Sequence, residues 1–278
     1  MLFLGDYMKI AILGESKRFD YIAKKFEDEG NDVTYCKTSL LLPDYFEHEL
    51  IILPIPTINK EGFINFKDGS QISPSSLLKK TNSSALIVGC NFTDDNYNVV
   101  DINKREDFAY LNAIPTAEAA IILAIKHLGA TAYNAKCLIC GFGRIGKMLS
   151  LRLKSLNAKV SVCARNPKDL AYIKALALNP IKISELGNCL SDYDVVFQTV
   201  PSEILNSEIL GIQTKKPLII ELSSGCKGTD MKMAHSLGYK AVDATNLPER
   251  YTPNTAGGIL YDVIMKILDE NQQDKGGL

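Results

Sequence analysis

The sequence has little that would carry metal chemistry. It holds three histidines in 278 residues and no H-E-x-x-H pattern, so a histidine-built metal site is not expected. It lacks an excess of charge of either sign: Lys and Arg number 31 against 32 Asp and Glu, for a net charge of −1. No long-range field therefore recruits nucleic acid or an anionic membrane. No apolar run approaches the length that spans a bilayer. Met1 to Met8 has neither the basic start nor the long apolar core of a secretory signal, and Met8-Lys9-Ile10-Ala11-Ile12-Leu13-Gly14 reads as a natural chain start. The seven cysteines are odd in number and scattered through apolar stretches. They fit free thiols in a reducing, cytoplasmic setting. Cys137 and Cys140 form a C-x-x-C, but inside an expected strand their odd offset puts them on opposite faces, which excludes a metal or redox pair.

What is present is a globular composition, 46% apolar and 23% charged, in a chain long enough for two ordinary domains. The most informative stretch is Cys137-Leu138-Ile139-Cys140-Gly141-Phe142-Gly143-Arg144-Ile145-Gly146. An apolar strand runs into G-x-G-x-x-G, an amphipathic segment from Lys147 to Leu156 follows, and a second strand comes next. Gly141 permits a tight turn, Gly143 admits a pyrophosphate to the backbone, and Gly146 lets helix and sheet pack closely. The helix start, with Arg144 and Ile145, then offers free N–H groups and the positive end of its dipole.

The alternation of strands and helices predicts an α/β protein of two Rossmann-like domains, each a doubly wound parallel sheet. In residues 1–112, a flavodoxin- or Rossmann-like substrate-side domain, strands are expected at Lys9–Leu13, Asp32–Tyr35, Leu50–Leu53, Ala85–Val88 and Asn98–Ile102. A helix is expected at Phe19–Glu29, and a loop with a short hairpin within Thr57–Pro74. Gly14-Glu15-Ser16 lacks the second glycine of a phosphate turn. Ala113-Ile114-Pro115-Thr116 marks a junction, and residues 113–130 form a bridging helix that starts at Thr116 and is closed by Gly129. Residues 131–252 form the dinucleotide-binding domain, with strands at Lys136–Cys140, Lys159–Cys163, Val195–Thr199, Leu218–Leu222 and Ala241–Asp243. Its helices are expected at Ile145–Leu156, Pro167–Leu176, Ile204–Leu210 and Thr229–Leu237. In residues 253–278 a last helix begins at Pro253, ends near Glu270 and packs back on the first domain, with a frayed tail from Asn271. Two bridging helices between two lobes leave a cleft, and open α/β sheets bind ligands at the carboxyl ends of their strands.

An acidic residue about 20 positions beyond the glycines would grip the adenosine ribose of NAD. Here the second strand ends in Ala164-Arg165-Asn166-Pro167-Lys168. Arg165, with Asn166 and Lys168 nearby, suits a 2′-phosphate instead, which favours NADP while leaving NAD open. Thr199, Val200, Pro201 and Ser202 end one strand and Ser223 follows another, so these face the nicotinamide half. Ser202 also reads as a helix cap, and Ser223 as a turn former.

Asn112-Ala113-Ile114-Pro115-Thr116-Ala117-Glu118, Thr199-Val200-Pro201-Ser202-Glu203-Ile204-Leu205-Asn206 and Pro253-Asn254-Thr255-Ala256-Gly257 resemble motifs of the dipicolinate synthase A-subunit family, and the likeness covers nearly the whole chain. Asn246-Leu247-Pro248-Glu249-Arg250 departs from the family's usual Gly-Leu-Pro-Gly, and Ser223 to Gly228 from its Pro-Gly-Gly-like turn. The resemblance implies a sporulation enzyme of the mother-cell cytoplasm. It implies oxidation of dihydrodipicolinate, or of 4-hydroxy-tetrahydrodipicolinate after loss of water, to dipicolinate. It also implies, as partner, the flavoprotein-like B-subunit of dipicolinate synthase.

Such chemistry needs a bound nicotinamide, groups for two carboxylates and a proton acceptor. Glu118 is the first candidate acid/base, or else a first-turn acid that serves the helix dipole. Thr116 is a candidate carboxylate ligand or a helix cap. Asn254 and Thr255, at the start of the last helix, form a second candidate carboxylate site, with Lys227 and Arg250 the nearest cations. His127 and His235 are weaker acid/base candidates, each on a helix away from any strand end. The rival readings are a 2-hydroxy-acid dehydrogenase, for which Glu221 inside a strand is poorly placed, and a non-catalytic nucleotide sensor. A homo-oligomer stays open.

Overall fold

A computed structural model of the chain describes residues 7–223, 225 and 227–276. Met1 to Asp6, Ser224, Cys226, Gly277 and Leu278, which fall in segments singled out above, lie outside the described residues. The chain divides into two compact units, residues 1–111 with 253–278, and residues 112–252.

The first unit opens with β1 (Lys9–Leu13), α1 (Lys17–Asp28) and β2 (Asp32–Cys36). In α1, Phe19, Ile22, Ala23 and Phe26 recur at helical spacing on one buried face, and the Ser16 hydroxyl accepts from the Phe19 N–H to cap the start. β3 (Leu50–Ile52), a hairpin of β4 (Ile64–Asn65) and β5 (Gln71–Ile72), the short α2 (Pro74–Leu78), β6 (Leu86–Gly89) and β7 (Val99–Asp101) follow. Among the described residues the main sheet is parallel and five-stranded, in the order β2-β1-β3-β6-β7. This is the flavodoxin-like order. Strand alternation splits its core: Ile10, Ile12, Leu50 and Ile52 pack on one face, and Ala11, Leu13, Ile51 and Leu53 on the other.

α3 (Glu106–Leu128) starts in the first unit and continues into the second. The expected break at Pro115 does not occur; the proline lies inside the helix. Proline removes one backbone hydrogen bond, at a cost of roughly 3 kcal/mol, and the burial of Ala113, Ala117, Ala120, Ile121 and Ala124 offsets it. Continuity makes α3 long and apolar enough, by length and composition alone, to cross a membrane, contrary to the reading of the isolated run, and half of that window is buried inside the protein.

The second unit contains β8 (Lys136–Cys140), α4 (Arg144–Ser155), β9 (Lys159–Ala164), α5 (Pro167–Ala175), β10 (Asn179–Lys182), α6 (Leu186–Cys189), β11 (Val195–Gln198), α7 (Ser207–Gly211), β12 (Leu218–Glu221), α8 (Met231–Ser236), β13 (Ala241–Asp243) and α9 (Leu247–Tyr251). Its parallel sheet runs β10-β9-β8-β11-β12-β13. That is the 3-2-1-4-5-6 order of a Rossmann sheet, which reverses direction between β8 and β11. Residues of α3, α4 and α5 cover one face, and residues around α6, α7 and α8 the other. Cys137 belongs to the first core and Cys140 to the second, as their spacing requires.

Several expectations need correction here. β10, α6 and α9 were not anticipated. β10 carries Pro180, which an edge strand tolerates because one row of its N–H groups is unpaired. α9 follows a left-handed Asn246 (φ 56°). α7 begins at Ser207, because the Ile204 and Leu205 N–H groups both donate to the Gly228 carbonyl and Asn206, not Ser202, caps the helix. The last helix, α10 (Pro253–Gly276), runs through the segment expected to fray. It belongs to the first unit and lays Leu260, Val263, Ile264 and Ile267 on the core face shared with α1.

Candidate functional site

The glycine turn joins β8 to α4 at the carboxyl edge of the second sheet, beside its switch point. Gly141 has φ +101°, and a Cβ there would meet Thr199 Oγ1 at 2.6 Å and Val200 Cγ2 at 2.8 Å. A Cβ on Gly146 would meet the Gly141 carbonyl oxygen at 2.2 Å, so helix and turn touch backbone to backbone. Around Gly143 nothing lies within 4 Å of an added Cβ. Gly143 is the N-cap of α4, no side chain caps that helix, and Gly143 and Arg144 are exposed while Ile145 is half-buried. An open approach to uncapped helical N–H groups is what a diphosphate requires, and these residues fit one.

Arg165 stands immediately beyond β9, exposed, as are Asn166 and Lys168. The Asn166 side chain accepts from the Lys168 N–H at 2.9 Å to cap α5, so it has a structural duty as well. No carboxylate lies between Ala164 and Lys168. The Thr199 hydroxyl donates to the Cys140 carbonyl at 2.7 Å, tying the loop after β11 to the glycine turn. Val200 is half-buried, and Pro201 and Ser202 are exposed on that loop. Ser223 is buried and donates from both its N–H and its hydroxyl to Glu221 Oε1. The structure thus brings Gly141, Thr199 and Val200 into contact, and it joins Ser223 to the same strand-end region through Gly228.

Other candidates receive different settings. Thr116 caps nothing: it lies within α3, buried, with its hydroxyl donating to the Asn112 carbonyl at 2.7 Å. Glu118 is likewise not in a first turn, because α3 starts at Glu106. Its carboxylate is 3.0 Å from Arg152 Nε on α4 and its side chain is 51% exposed, a surface ion pair rather than a desolvated base. Asn254 and Thr255 are exposed in the first turn of α10, in the first unit. Lys227 Nζ binds Asp243 at 2.9 Å, and the Arg250 guanidinium lies over the Tyr251 ring. For His127, desolvation and the neighbouring Lys240 and Lys126 hold the imidazole below its usual range. His235 is exposed, with Nε2 2.9 Å from the Ala241 carbonyl. Burial pushes the Cys137 and Cys163 thiols up to about 12, which makes them unreactive near neutrality.

Gln198, the last residue of β11, escaped the sequence reading, and Glu221, the last of β12, entered it only as an acid poorly placed for a 2-hydroxy-acid dehydrogenase. The only further signal was a polar side chain within an apolar strand run.

Comparison with known proteins agrees with this geometry. Residues 136–225 match a family model described as NADP oxidoreductase, coenzyme F420-dependent. The chain is 31% identical to the dipicolinate synthase A-subunit of Bacillus subtilis (strain 168), over 97% of this chain and 98% of that protein. The crystal structure of the dipicolinate synthase A-subunit from Bacillus halodurans superposes with a TM-score of 0.84 at 28% identity, covering 94% of this chain and 97% of that one. NAD-dependent formate dehydrogenase from Staphylococcus aureus, solved with NAD, shares the fold alone, with a TM-score of 0.57 at 14% identity over 95% and 96% of the two chains. The second unit is an oxidoreductase domain of the nicotinamide-dependent kind. Full-length identity joins an intact dinucleotide turn, and the chain belongs to the dipicolinate synthase A-subunit family.

Proposed function

We propose that this protein oxidises a cyclic dihydro-dicarboxylate to dipicolinate with NADP, as the nucleotide-binding half of a two-subunit enzyme. The observation that carries the reading is the uncapped N-terminus of α4 behind the open Gly143, with exposed Arg165 and no acid at the end of the next strand. When bound, the nicotinamide supplies the hydride acceptor. The backbone of Gly143, Arg144, Ile145 and Gly146 would hold the diphosphate. Arg165, with Asn166 and Lys168, would hold the 2′-phosphate. Thr199, Val200, Pro201 and Ser202 would line the nicotinamide half, along with Ser223.

The reaction removes a hydride and a proton from a dihydropyridine ring, and the aromatic product drives it forward. If the substrate arrives as 4-hydroxy-tetrahydrodipicolinate, loss of water precedes oxidation. The first unit is the carboxylate-binding side in this reading. Its α10 packs beside α1 with Gly257 against Arg18 and Tyr21, and with Tyr261 bonded to Glu29. The two helices therefore run parallel, and their N-termini lie at one end of the unit. Asn254 and Thr255 in the first turn of α10 would bind one carboxylate there. The flavoprotein-like B-subunit, in the mother cell of a sporulating bacterium, is the partner expected from the family.

The test is to supply freshly made 4-hydroxy-tetrahydrodipicolinate and NADP, with the flavoprotein-like partner and without it, and to follow dipicolinate absorbance. Product formed only with both proteins supports a shared active complex. NADP binding without turnover in any combination points to a nucleotide sensor and rejects the enzymatic reading.

A further inference from the structure

One lateral row of the second sheet crosses its carboxyl edge through Ile181, Cys163, Cys140, Gln198, Glu221 and Asp243. Its chemistry changes at the switch point. On the side of β9 and β10 the row is apolar or thiol; from β11 onward every member is polar. Gln198 and Glu221 are both fully buried. Burying an amide and a carboxylate side by side is costly unless their hydrogen bonds accomplish something.

Those bonds all go to two loops. Gln198 Oε1 accepts from the Val200 N–H at 2.9 Å, and Nε2 donates to the Gly228 carbonyl at 3.0 Å. Glu221 Oε1 takes both the N–H and the hydroxyl of Ser223, and the Ser223 hydroxyl accepts from the Gly228 N–H at 3.0 Å. The Gly228 carbonyl also receives the Ile204 and Leu205 N–H groups. The fit is close: a Cβ on Gly228 would meet Gln198 Cδ and the Val200 carbonyl, each at 2.5 Å. Among the described residues, Glu221 Oε2 and Thr229 Oγ1 are buried with no hydrogen-bond partner.

We propose that Glu221 is a positioning residue for the nicotinamide half of the cofactor. Through Ser223 it holds Gly228 against Gln198 and Val200, so that these described residues present a preformed wall to the nicotinamide and its ribose. The inference rests on the proposed dinucleotide binding and goes beyond it. It assigns the buried carboxylate a function that is separate from the diphosphate turn, which lies on the other side of the switch point.

The test uses the full chain and two probes, NADPH and 2′-phospho-ADP-ribose, with affinities read by fluorescence titration and by competition. Glu221→Ala is expected to weaken NADPH binding at least fivefold while leaving 2′-phospho-ADP-ribose within twofold of wild type. Glu221→Gln, which keeps an acceptor for Ser223, restores NADPH binding to within twofold. Glu221→Asp, which keeps the carboxylate but withdraws it by one methylene, behaves like the alanine variant and covers the case in which that variant folds poorly. Equal weakening of both probes, or of neither, overturns the inference, as does a glutamine variant no better than alanine. A wild-type protein that binds neither probe overturns the proposed function, and the inference with it.

Discussion

At Gly146 an added methyl group would stand 2.2 Å from the Gly141 carbonyl oxygen, whereas at Gly143 it would touch nothing within 4 Å. The same substitution should therefore fail in two different ways. Gly146→Ala forces backbone apart and is expected to cost about 1–3 kcal/mol of stability, read by urea unfolding. Gly143→Ala should melt with wild type yet bind NADPH at least tenfold more weakly, because its methyl occupies the approach to the helix N-terminus. A Gly143→Ala protein that binds normally would remove the diphosphate from this turn. Arg165→Asp should shift the ratio of kcat/KM between NADP and NAD at least tenfold toward NAD; an unchanged ratio rejects the 2′-phosphate assignment. These residues were legible in the sequence because each has a local steric or ionic cause. The use of Gln198 and Glu221 was not, since both fell inside expected strands, where a lone polar residue carries no local cause, and only the return of Gly228 reveals it.

Among the elements, strands were the most readable, because buried parallel strands are short apolar runs with clear punctuation; β1, β8 and β13 fall on their expected bounds. Helix starts were less readable. Pro115 argued for a boundary, but burial on both sides of it carries α3 through. The start of α3 is instead held by Arg105, whose guanidinium reaches Asp107 Oδ2 at 2.9 Å and Glu270 Oε2 on α10 at 2.6 Å. Hydrogen bonds from Arg105 hold both carboxyls below their usual range. A depressed folded value means the clip stabilises fully above the ordinary carboxylate range and is lost as pH falls through the depressed values. Arg105→Leu should therefore flatten the acid limb of the stability curve below about pH 5. Its cost near neutrality should be about 1 kcal/mol or less, because Glu270 is 56% exposed. Equal pH slopes for the two proteins, in urea unfolding at pH 7 and pH 4, would reject the clip.

For the whole molecule, the two units differ in how the chain supplies them. Residues 112–252 are contiguous, while the first unit needs both 1–111 and the segment from Pro253 onward. Much of one face of its core comes from Leu260, Tyr261, Val263, Ile264, Ile267 and Leu268 of α10. A chain ending at Thr252 should lose the first unit and keep the second: limited proteolysis should digest residues before 112 and leave a fragment of the nucleotide-binding unit. Survival of both units would show that α10 is dispensable. On the ribosome the same arrangement sets a sequence of events. The oxidoreductase unit emerges whole and can fold as soon as its last helix clears the exit tunnel. The earlier-made unit must wait, with the apolar side of its first helix uncovered, until α10 arrives. That interval, while the second unit is being made, is when the nascent protein is most open to chaperones and to misassociation.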